Sequence, residues 1–176
     1  MALNKGAVLV GTADQQTTGA IAKAEEINPK ASRREMDMLL ATGEQQSIAL
    51  LCMAITEMGF KARSFTGAQA GICTYGSHTR GRIESIEPEK VLNALNDGNI
   101  VVCAGFQGVT REGAIHTLGR GGSDLSAIAM AAAIRADLCQ IYTDVDGVYT
   151  CDPRVVKDAC KIPVLSYEEM LEMASS

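Results

Sequence analysis

The stretch Ile100-Val101-Val102-Cys103-Ala104-Gly105 is the clearest buried strand in the sequence. The turn Asp97-Gly98 leads into it, and Gly105 ends the apolar run. A short run that is apolar on both faces is typical of a strand inside a parallel sheet that is covered on both sides. A similar run, Ala7-Val8-Leu9-Val10, is ended by Gly11 and predicts a second buried strand.

Strands and helices alternate along the rest of the chain. Capping boxes, in which a polar side chain is followed three residues later by Glu or Gln, predict helix starts at Ser32, Thr42 and Ser166. Further helices are predicted to end near Glu26, to run from residue 88 to 96 and to span residues 125–136. Strands are predicted for residues 62–65, 82–86 and 138–142, and loops for residues 67–79 and for the glycine-rich connection after Gly105.

This alternation requires crossover connections and therefore predicts an α/β fold with a mostly parallel sheet covered on both faces. In such sheets, ligands bind beyond the carboxyl ends of the strands. The segments that follow Val10, Gly105 and Tyr142 are the predicted location of a functional site.

Composition limits the classes of protein to which the chain can belong. Its 176 residues, 47% hydrophobic and 21% charged, fit one globular domain with no second domain. Sixteen Lys and Arg against 21 Asp and Glu give a net charge of −5, which argues against a nucleic-acid partner. No run approaches the roughly 20 apolar residues of a membrane span, so no membrane partner is expected. The six cysteines form no C-x-x-C and are predicted to be reduced, as in a cytoplasmic protein.

The segment Gly119-Arg120-Gly121-Gly122-Ser123-Asp124 is the strongest local signal of a binding site. Glycines let the backbone approach a ligand closely, and a helix that begins at Ser123-Asp124 offers its N–H groups to an anion. Arg120 adds a guanidinium group suited to a carboxylate or a phosphate. Taken alone, the same residues are also compatible with a flexible turn followed by a helix cap.

Other polar residues allow both a functional and a structural interpretation. Asp144 and Asp146 could hold a hydrated Mg²⁺ or a ribose, or they could simply form a turn. Glu44 could bind a ligand or stabilise a helix N-terminus. His78 and His116 lack a neighbouring nucleophile and are interpreted as loop residues, and no zinc pattern can be written from them.

Four segments taken together resemble aspartate kinases of the amino acid kinase family. They are E-M-D-M-L-L-A-T-G-E (residues 35–44), F-T-G-A-Q-A-G (65–71), T-L-G-R-G-G-S-D (117–124) and Y-T-D-V-D-G-V-Y-T (142–150). Their order and spacing match the family from about Ala7 to Ala174. The last two strings are highly specific for it.

The resemblance implies a three-layer α/β/α sandwich and transfer of the γ-phosphoryl group of Mg-ATP to the side-chain carboxylate of L-aspartate. The product would be 4-phospho-L-aspartate, which enters lysine, threonine and methionine synthesis. The implied aspartate-binding residues are Thr17, Glu44, Arg120, Gly121, Gly122 and Ser123, and Asp124 matches the acid that organises the family's catalytic lysine. The implied ATP-binding residues are Gly11, Thr143, Asp144, Tyr149, Asp152 and Arg154, with Mg²⁺ entering on the nucleotide and no metal ligand assigned to the protein.

Departures from the family pattern limit this expectation. The family's first strand, with K-F-G-G-T, its G-A-K-V-L stretch and its regulatory ACT region have no counterpart in the chain. We therefore expect residues 1–176 to form part of a catalytic domain and, alone, to be a poor kinase. The alternatives are a non-catalytic nucleotide- or amino-acid-binding remnant and a kinase with another acceptor, such as glutamate. A sheet edge without that first strand would also favour association into a homo-oligomer.

Overall fold

The computed structural model describes residues 6–11, 14–143 and 147–175. The chain forms two compact units, Met1–Cys139 and Gln140–Ser176. In the first unit the elements are β1 (Val8–Gly11), α1 (Asp14–Ile27), α2 (Arg33–Glu57), β2 (Ala62–Phe65), β3 (Ile72–Ser77), β4 (Arg80–Ile86), α3 (Glu89–Asn96), β5 (Ile100–Ala104), β6 (Gln107–Val109), β7 (Ile115–Thr117) and α4 (Gly122–Ala133). In the second unit, α5 (Tyr167–Ser175) follows a segment in which Tyr149 and Lys161 form an antiparallel bridge.

Strand β5 is the centre of a three-stranded parallel sheet with the order β1-β5-β2. Val102 is in register with Leu9 of β1 and with Ser64 of β2. The strands predicted at residues 7–10, 62–65 and 100–105 are confirmed, with boundaries that shift by one residue at most. The predicted burial of the first of them is wrong, because β1 pairs on one side only among the described strands and Leu9 is 40% exposed. Strand β1 lies at the edge of this sheet, which is the geometry that association through a sheet edge requires. The oligomeric state itself stays a prediction.

Helices cover both faces of the parallel sheet. Because side chains alternate along a strand, Val101 and Cys103 of β5 pack with α3 and α4, whereas Val102 and Ala104 pack with α2. The residues that complete these two apolar clusters include Val91, Ala94 and Met130 on the first face and Ile48, Cys52 and Ile55 on the second. The prediction of an α/β fold whose parallel sheet is covered on both sides is therefore confirmed.

A second sheet contains four strands in the order β4-β3-β6-β7. Its β3–β4 and β6–β7 pairs are antiparallel, and β3 pairs with β6 in parallel. The predicted loops at residues 67–79 and after Gly105 are therefore wrong in part, because they contain β3 and the β6–β7 pair. Strands β6 and β7 have three residues each, too few for an alternating pattern to be visible in the sequence. In β3 only Ile72 and Thr74 are buried.

Two of the three predicted helix starts are confirmed. Ser32 is the N-cap of α2, where its Oγ accepts a hydrogen bond from the Glu35 N–H (3.3 Å). Ser166 precedes α5 in a reciprocal capping box. The predicted start at Thr42 is wrong, because α2 runs through this residue. The Thr42 hydroxyl donates to the Leu39 carbonyl (2.7 Å) in the preceding turn and so does not act as an N-cap.

The predicted strand at residues 138–142 is also wrong. These residues have an irregular backbone, and Leu138 and Tyr142 are 70% and 88% exposed. An apolar run becomes a strand only where a neighbouring strand completes its hydrogen bonds. Within the described residues no strand pairs with this run.

Helix α2 has 25 residues and is apolar enough to cross a membrane by length and composition alone, contrary to the expectation that no segment would be. Its buried residues form one stripe, which packs against the parallel sheet and contains two carboxylates, Asp37 and Glu44. A single buried stripe is typical of a helix that packs one face against a core, and Leu50, Leu51 and Met53 on the other faces are exposed. The absence of a membrane partner stays a prediction.

The six cysteine thiols are free and differ widely in exposure. Burial raises the pKa of the Cys103 thiol to about 12, whereas Cys139, Cys151 and Cys160 are exposed. Because the thiolate is the reactive form, we expect iodoacetamide near neutral pH to modify the three exposed cysteines and to spare Cys103. Mass spectrometry of the digested protein locates the label, and the same reaction in guanidinium chloride is the control in which every cysteine reacts. Labelling of native Cys103 as fast as Cys139 would contradict the packing of β5.

Candidate ligand-binding site at the end of the parallel sheet

The carboxyl ends of β1 and β5 meet the first turn of α4. The Gly105 N–H, just after β5, donates to the carbonyl of Gly11 at the end of β1 (3.1 Å). A Cβ at Gly105 would lie 2.9 Å from that carbonyl oxygen and 3.1 Å from the Cα of Ser123. The approach of these three backbones therefore requires glycine. Two of the segments predicted to border a functional site, those after Val10 and Gly105, lie together here.

The glycines before α4 leave its first turn open to a ligand. Gly121 is the N-cap, has a left-handed backbone (φ 74°) and makes no side-chain capping hydrogen bond. The N–H groups of a first helical turn and the helix dipole favour an anion such as a phosphate or a carboxylate. Ser123 is half-buried and Asp124 is exposed at this turn. The structure thus brings Gly121, Gly122, Ser123 and Asp124 together beside Gly11.

Phe106 contributes to this site in a way that the sequence analysis did not identify. Its backbone is left-handed (φ 62°), which is strained for a residue with a side chain. The Phe106 N–H donates to the Ser126 hydroxyl of α4 (3.2 Å), and its carbonyl accepts a hydrogen bond from the Leu118 N–H (2.9 Å). This one residue therefore holds the start of α4 and the segment that leads into Arg120. A phenylalanine after a strand carries no sequence signal for such a backbone.

Glu44 lies in the middle of α2 and is only 2% exposed. The preceding turn of the helix is held by Gln107, whose buried amide donates to the Ala41 carbonyl (3.0 Å). One turn after Glu44, the Cγ2 of Ile48 lies 3.1 Å from where a Cβ on Gly11 would be. The buried face of α2 that carries Glu44 therefore reaches the end of β1. This position excludes the interpretation of Glu44 as a residue that stabilises a helix N-terminus. Gln107 could not be predicted from the sequence, because a lone glutamine belongs to no motif.

Arg120 lines an open groove of about 630 Å³ beside the same turn. Arg80 and Arg82 of β4 line the groove as well. None of the three guanidinium groups has an ion-pair partner among the described residues, so the groove favours an anionic ligand. Neither Glu44 nor Ser123 lines it. This groove therefore contains Arg120 without Glu44 or Ser123, and the grouping of the implied aspartate-binding residues stays a prediction.

Of the other implied residues, Thr143 is exposed and Tyr149 is half-buried. Asp144 and the side chain of Thr17, a residue of α1, lie outside the described part of the chain. In the second unit, the Arg154 guanidinium donates to the Asp152 carboxylate (2.8 Å). This hydrogen bond holds the pKa of the Asp152 carboxyl below its usual range. Arg154 is thus a cation that an exposed acid holds in place.

A second group of buried polar residues surrounds Asp37 of α2. Its fully buried carboxylate accepts hydrogen bonds from the Thr79 N–H and from the N–H and hydroxyl of Thr117, and it lies 2.6 Å from His78 Nδ1. His78 contacts His116 edge to face, with ring centroids 4.6 Å apart. His116 lies in β7 and is 3% exposed, so its interpretation as a loop residue is wrong. No sequence pattern connects these residues, because separate elements carry them.

The substitution Gly105→Ala tests the close approach of β1, β5 and α4. The new Cβ would meet the backbone of Gly11 and Ser123, so we expect a loss of about 1–3 kcal/mol in the free energy of unfolding, as in other overpacked sites. The matched control is Gly19→Ala in α1, where a Cβ meets nothing within 4 Å. That control should be neutral or stabilising by about 0.5–1 kcal/mol. Urea unfolding followed by circular dichroism measures both, and equal midpoints would contradict the described geometry.

The sequence matches the amino acid kinase family over residues 2–176. The aspartokinase of Geobacillus stearothermophilus is 53% identical over 172 residues, which are 98% of this chain and 42% of that protein. Aspartokinase 2 of Bacillus subtilis (strain 168) is 52% identical over 168 residues, which are 96% of this chain and 41% of that protein. The chain thus spans about two fifths of the length of the curated relatives it matches.

Solved structures show the same similarity in three dimensions. E. coli aspartokinase III in complex with aspartate and ADP (R-state) has a TM-score of 0.78 and 32% identity, over 92% of this chain and 37% of that one. Aspartate kinase from Synechocystis has a TM-score of 0.77 and 44% identity, over 96% of this chain and 27% of that one. An isopentenyl phosphate kinase substrate complex has a TM-score of 0.65 at 19% identity, over 99% of this chain and 72% of that one, which is evidence for the fold alone.

Proposed function

Because the chain belongs to the amino acid kinase family, we propose that it forms the nucleotide- and aspartate-binding region of an aspartate kinase. The reaction transfers the γ-phosphoryl group of Mg-ATP to the side-chain carboxylate of L-aspartate and yields 4-phospho-L-aspartate and ADP. The aspartokinase relatives, about 50% identical over nearly the whole of this chain, support this choice of acceptor. A cytoplasmic location, as expected from the cysteines, stays part of the proposal.

The observation that carries the proposal is the meeting of β1, β5 and the first turn of α4 at Gly11, Gly105 and Ser123. Phosphoryl transfer involves little covalent chemistry by the protein and depends on positioning and on electrostatic stabilisation of the phosphoryl oxygens. Backbone N–H groups at the α4 N-terminus supply such stabilisation without any side-chain movement. Close packing of the three backbones places them in a fixed position.

Arg120 and Glu44 are assigned to the amino-acid substrate. A guanidinium group can bind the α-carboxylate with two parallel hydrogen bonds, and Arg120 lies in a groove whose cations have no ion-pair partner in the described part of the chain. Glu44 is 2% exposed, and a carboxylate removed from water attracts an ammonium group more strongly than an exposed one does. The related E. coli aspartokinase III has been solved with aspartate and ADP bound, which supports the same substrates here.

The resemblance implies a nucleotide-binding role for Gly11 and, within the second unit by itself, for Arg154, whose guanidinium group is suited to phosphates. Asp152 orients the Arg154 guanidinium by direct hydrogen bonds. Mg²⁺ enters on the nucleotide and offsets charge on its phosphate oxygens. Asp124, exposed in the first turn of α4, is assigned to the catalytic machinery as the acid that positions a cationic group.

A coupled assay of ADP release with L-aspartate, with L-glutamate and without acceptor tests the proposed reaction. We expect ADP release when L-aspartate is the acceptor, and none with L-glutamate or without an acceptor. Release with glutamate at the same rate would overturn the choice of acceptor. A rise in melting temperature with Mg-ATP but no ADP release would favour the alternative of a nucleotide-binding region without catalysis. If Mg-ATP causes no rise in melting temperature and no ADP is released, both the kinase and the nucleotide-binding region without catalysis are contradicted.

The substitution Arg120→Ala tests the assignment of the substrate α-carboxylate. Loss of a charged hydrogen-bond partner should weaken L-aspartate binding by about 2 kcal/mol or more, or about 30-fold. Isothermal titration calorimetry measures the affinity. The matched control is Arg111→Ala, since Arg111 is an exposed arginine of the same unit that pairs with Glu84 outside the groove. An affinity unchanged by Arg120→Ala would contradict the assignment.

A further inference from the structure

Three side chains with metal-binding atoms meet where α2, the β3–β4 turn and β7 come together. Asp37, His78 and His116 each offer one ligand atom, and these atoms lie within 4.8 Å of one another. Asp37 and His116 are buried, whereas the His78 side chain is 29% exposed. An ion could therefore reach the cluster from the side of His78.

We propose that Asp37, His78 and His116 form a binding site for a zinc-type divalent transition-metal ion. Two imidazoles and one carboxylate are a common ligand set for Zn²⁺, with water as the fourth ligand of a tetrahedral site. The site is separate from the residues assigned to aspartate and nucleotide, and the inference does not depend on the proposed kinase reaction.

The hydrogen bonds of Asp37 leave one oxygen suited to a metal ion. Oδ1 accepts from the Thr117 hydroxyl (2.6 Å), the Thr117 N–H (3.1 Å) and the Thr79 N–H (3.0 Å). Oδ2 faces His78 Nδ1 at 2.6 Å and has a longer contact with the Thr79 N–H (3.1 Å). Carboxylate ligands of metal ions are oriented by outer hydrogen bonds of this kind. Oδ2 is therefore the ligand atom, and Thr117 and Thr79 hold it in place.

The burial of His116 supports an ion site independently of the hydrogen bonds of Asp37. It is 3% exposed, and its Nδ1 is buried without a hydrogen-bond partner among the described residues. A buried polar atom that lacks a partner is unfavourable, and a bound ion or water molecule is one way in which proteins satisfy such an atom. The ring already contacts His78 edge to face, with centroids 4.6 Å apart. An ion shared with His78 would account for a histidine buried at this position.

Binding requires only a local rearrangement. Ligand atoms about 2.0–2.1 Å from a tetrahedral Zn²⁺ lie about 3.3 Å apart. The 2.6 Å contact between His78 and Asp37 must therefore lengthen. Any of the other ligand distances, which are at most 4.8 Å, that exceeds about 3.3 Å must shorten. When the ion binds through Nδ1, the neutral His78 imidazole carries its single proton on Nε2, and no electron is transferred. Such an ion would join α2, which carries Glu44, to β7, which leads into Arg120.

The experiment uses the full chain with Cys139, Cys151 and Cys160 replaced by serine, because exposed thiols also bind zinc. The metal-free protein is titrated with Zn²⁺ by calorimetry and with Co²⁺ by visible absorption, which reports coordination geometry. We expect one ion per chain and a tetrahedral Co²⁺ spectrum. His78→Gln and His116→Gln should each weaken binding at least about 10-fold, and Thr117→Val, which removes an outer hydrogen bond, by about 10–100-fold. The control Glu84→Gln alters an exposed acid outside the cluster and should change nothing.

Two results would overturn the proposal. One is the absence of saturable Zn²⁺ and Co²⁺ binding, which would identify the cluster as a hydrogen-bonded support without an ion. The other is binding that both His78→Gln and His116→Gln leave unchanged, which would place the ion elsewhere. Circular dichroism checks the fold of each variant. If His116→Gln does not fold, His78→Gln alone decides whether the ion binds at the cluster. A zinc-induced rise in melting temperature that is lost in His78→Gln supports the site.

Discussion

The burial of β5 on both faces is the constraint on which the other elements depend. Val101, Val102, Cys103 and Ala104 are each at most 1% exposed. A strand without a polar face requires helices on both sides, so the composition of this one strand requires α2 on one face and α3 and α4 on the other. The same packing brings the first turn of α4 to the end of β5. The candidate site lies there because backbone groups converge at that point.

Backbone geometry and the attachment of α2 together shape this end of the molecule. Gly105 lets β1, β5 and α4 approach within backbone contact, and Phe106 keeps a strained left-handed conformation that holds α4 in place. Helix α2 is attached to the second sheet through Asp37 and, through the Ala41 carbonyl, to Gln107. Because Glu44 lies one turn beyond Ala41, these attachments also position its carboxylate.

Local signals predicted a large part of the fold and part of the site. The strands around Val102, the cap at Ser32 and the glycines at 119–122 were found because each depends on residues within a few positions of one another. Predictions failed where a distant partner decides the outcome. Residues 138–142 are apolar enough for a strand but pair with none in the described chain, and Thr42 satisfies its hydroxyl inside α2. The implied aspartate-binding residues were grouped by resemblance, and that grouping stays a prediction.

The sequence by itself determined that the run at residues 100–104 is a buried strand, where two helices begin and which glycine-rich segment opens α4. These features follow from side-chain polarity, backbone freedom and hydrogen bonds over three or four residues. Only the tertiary structure decided that Asp37, His78 and His116 meet in one cluster and that β3, β6 and β7 join one sheet. The physical reason is that such contacts join residues tens of positions apart, and their free energy exists only after the chain has brought three separate elements together.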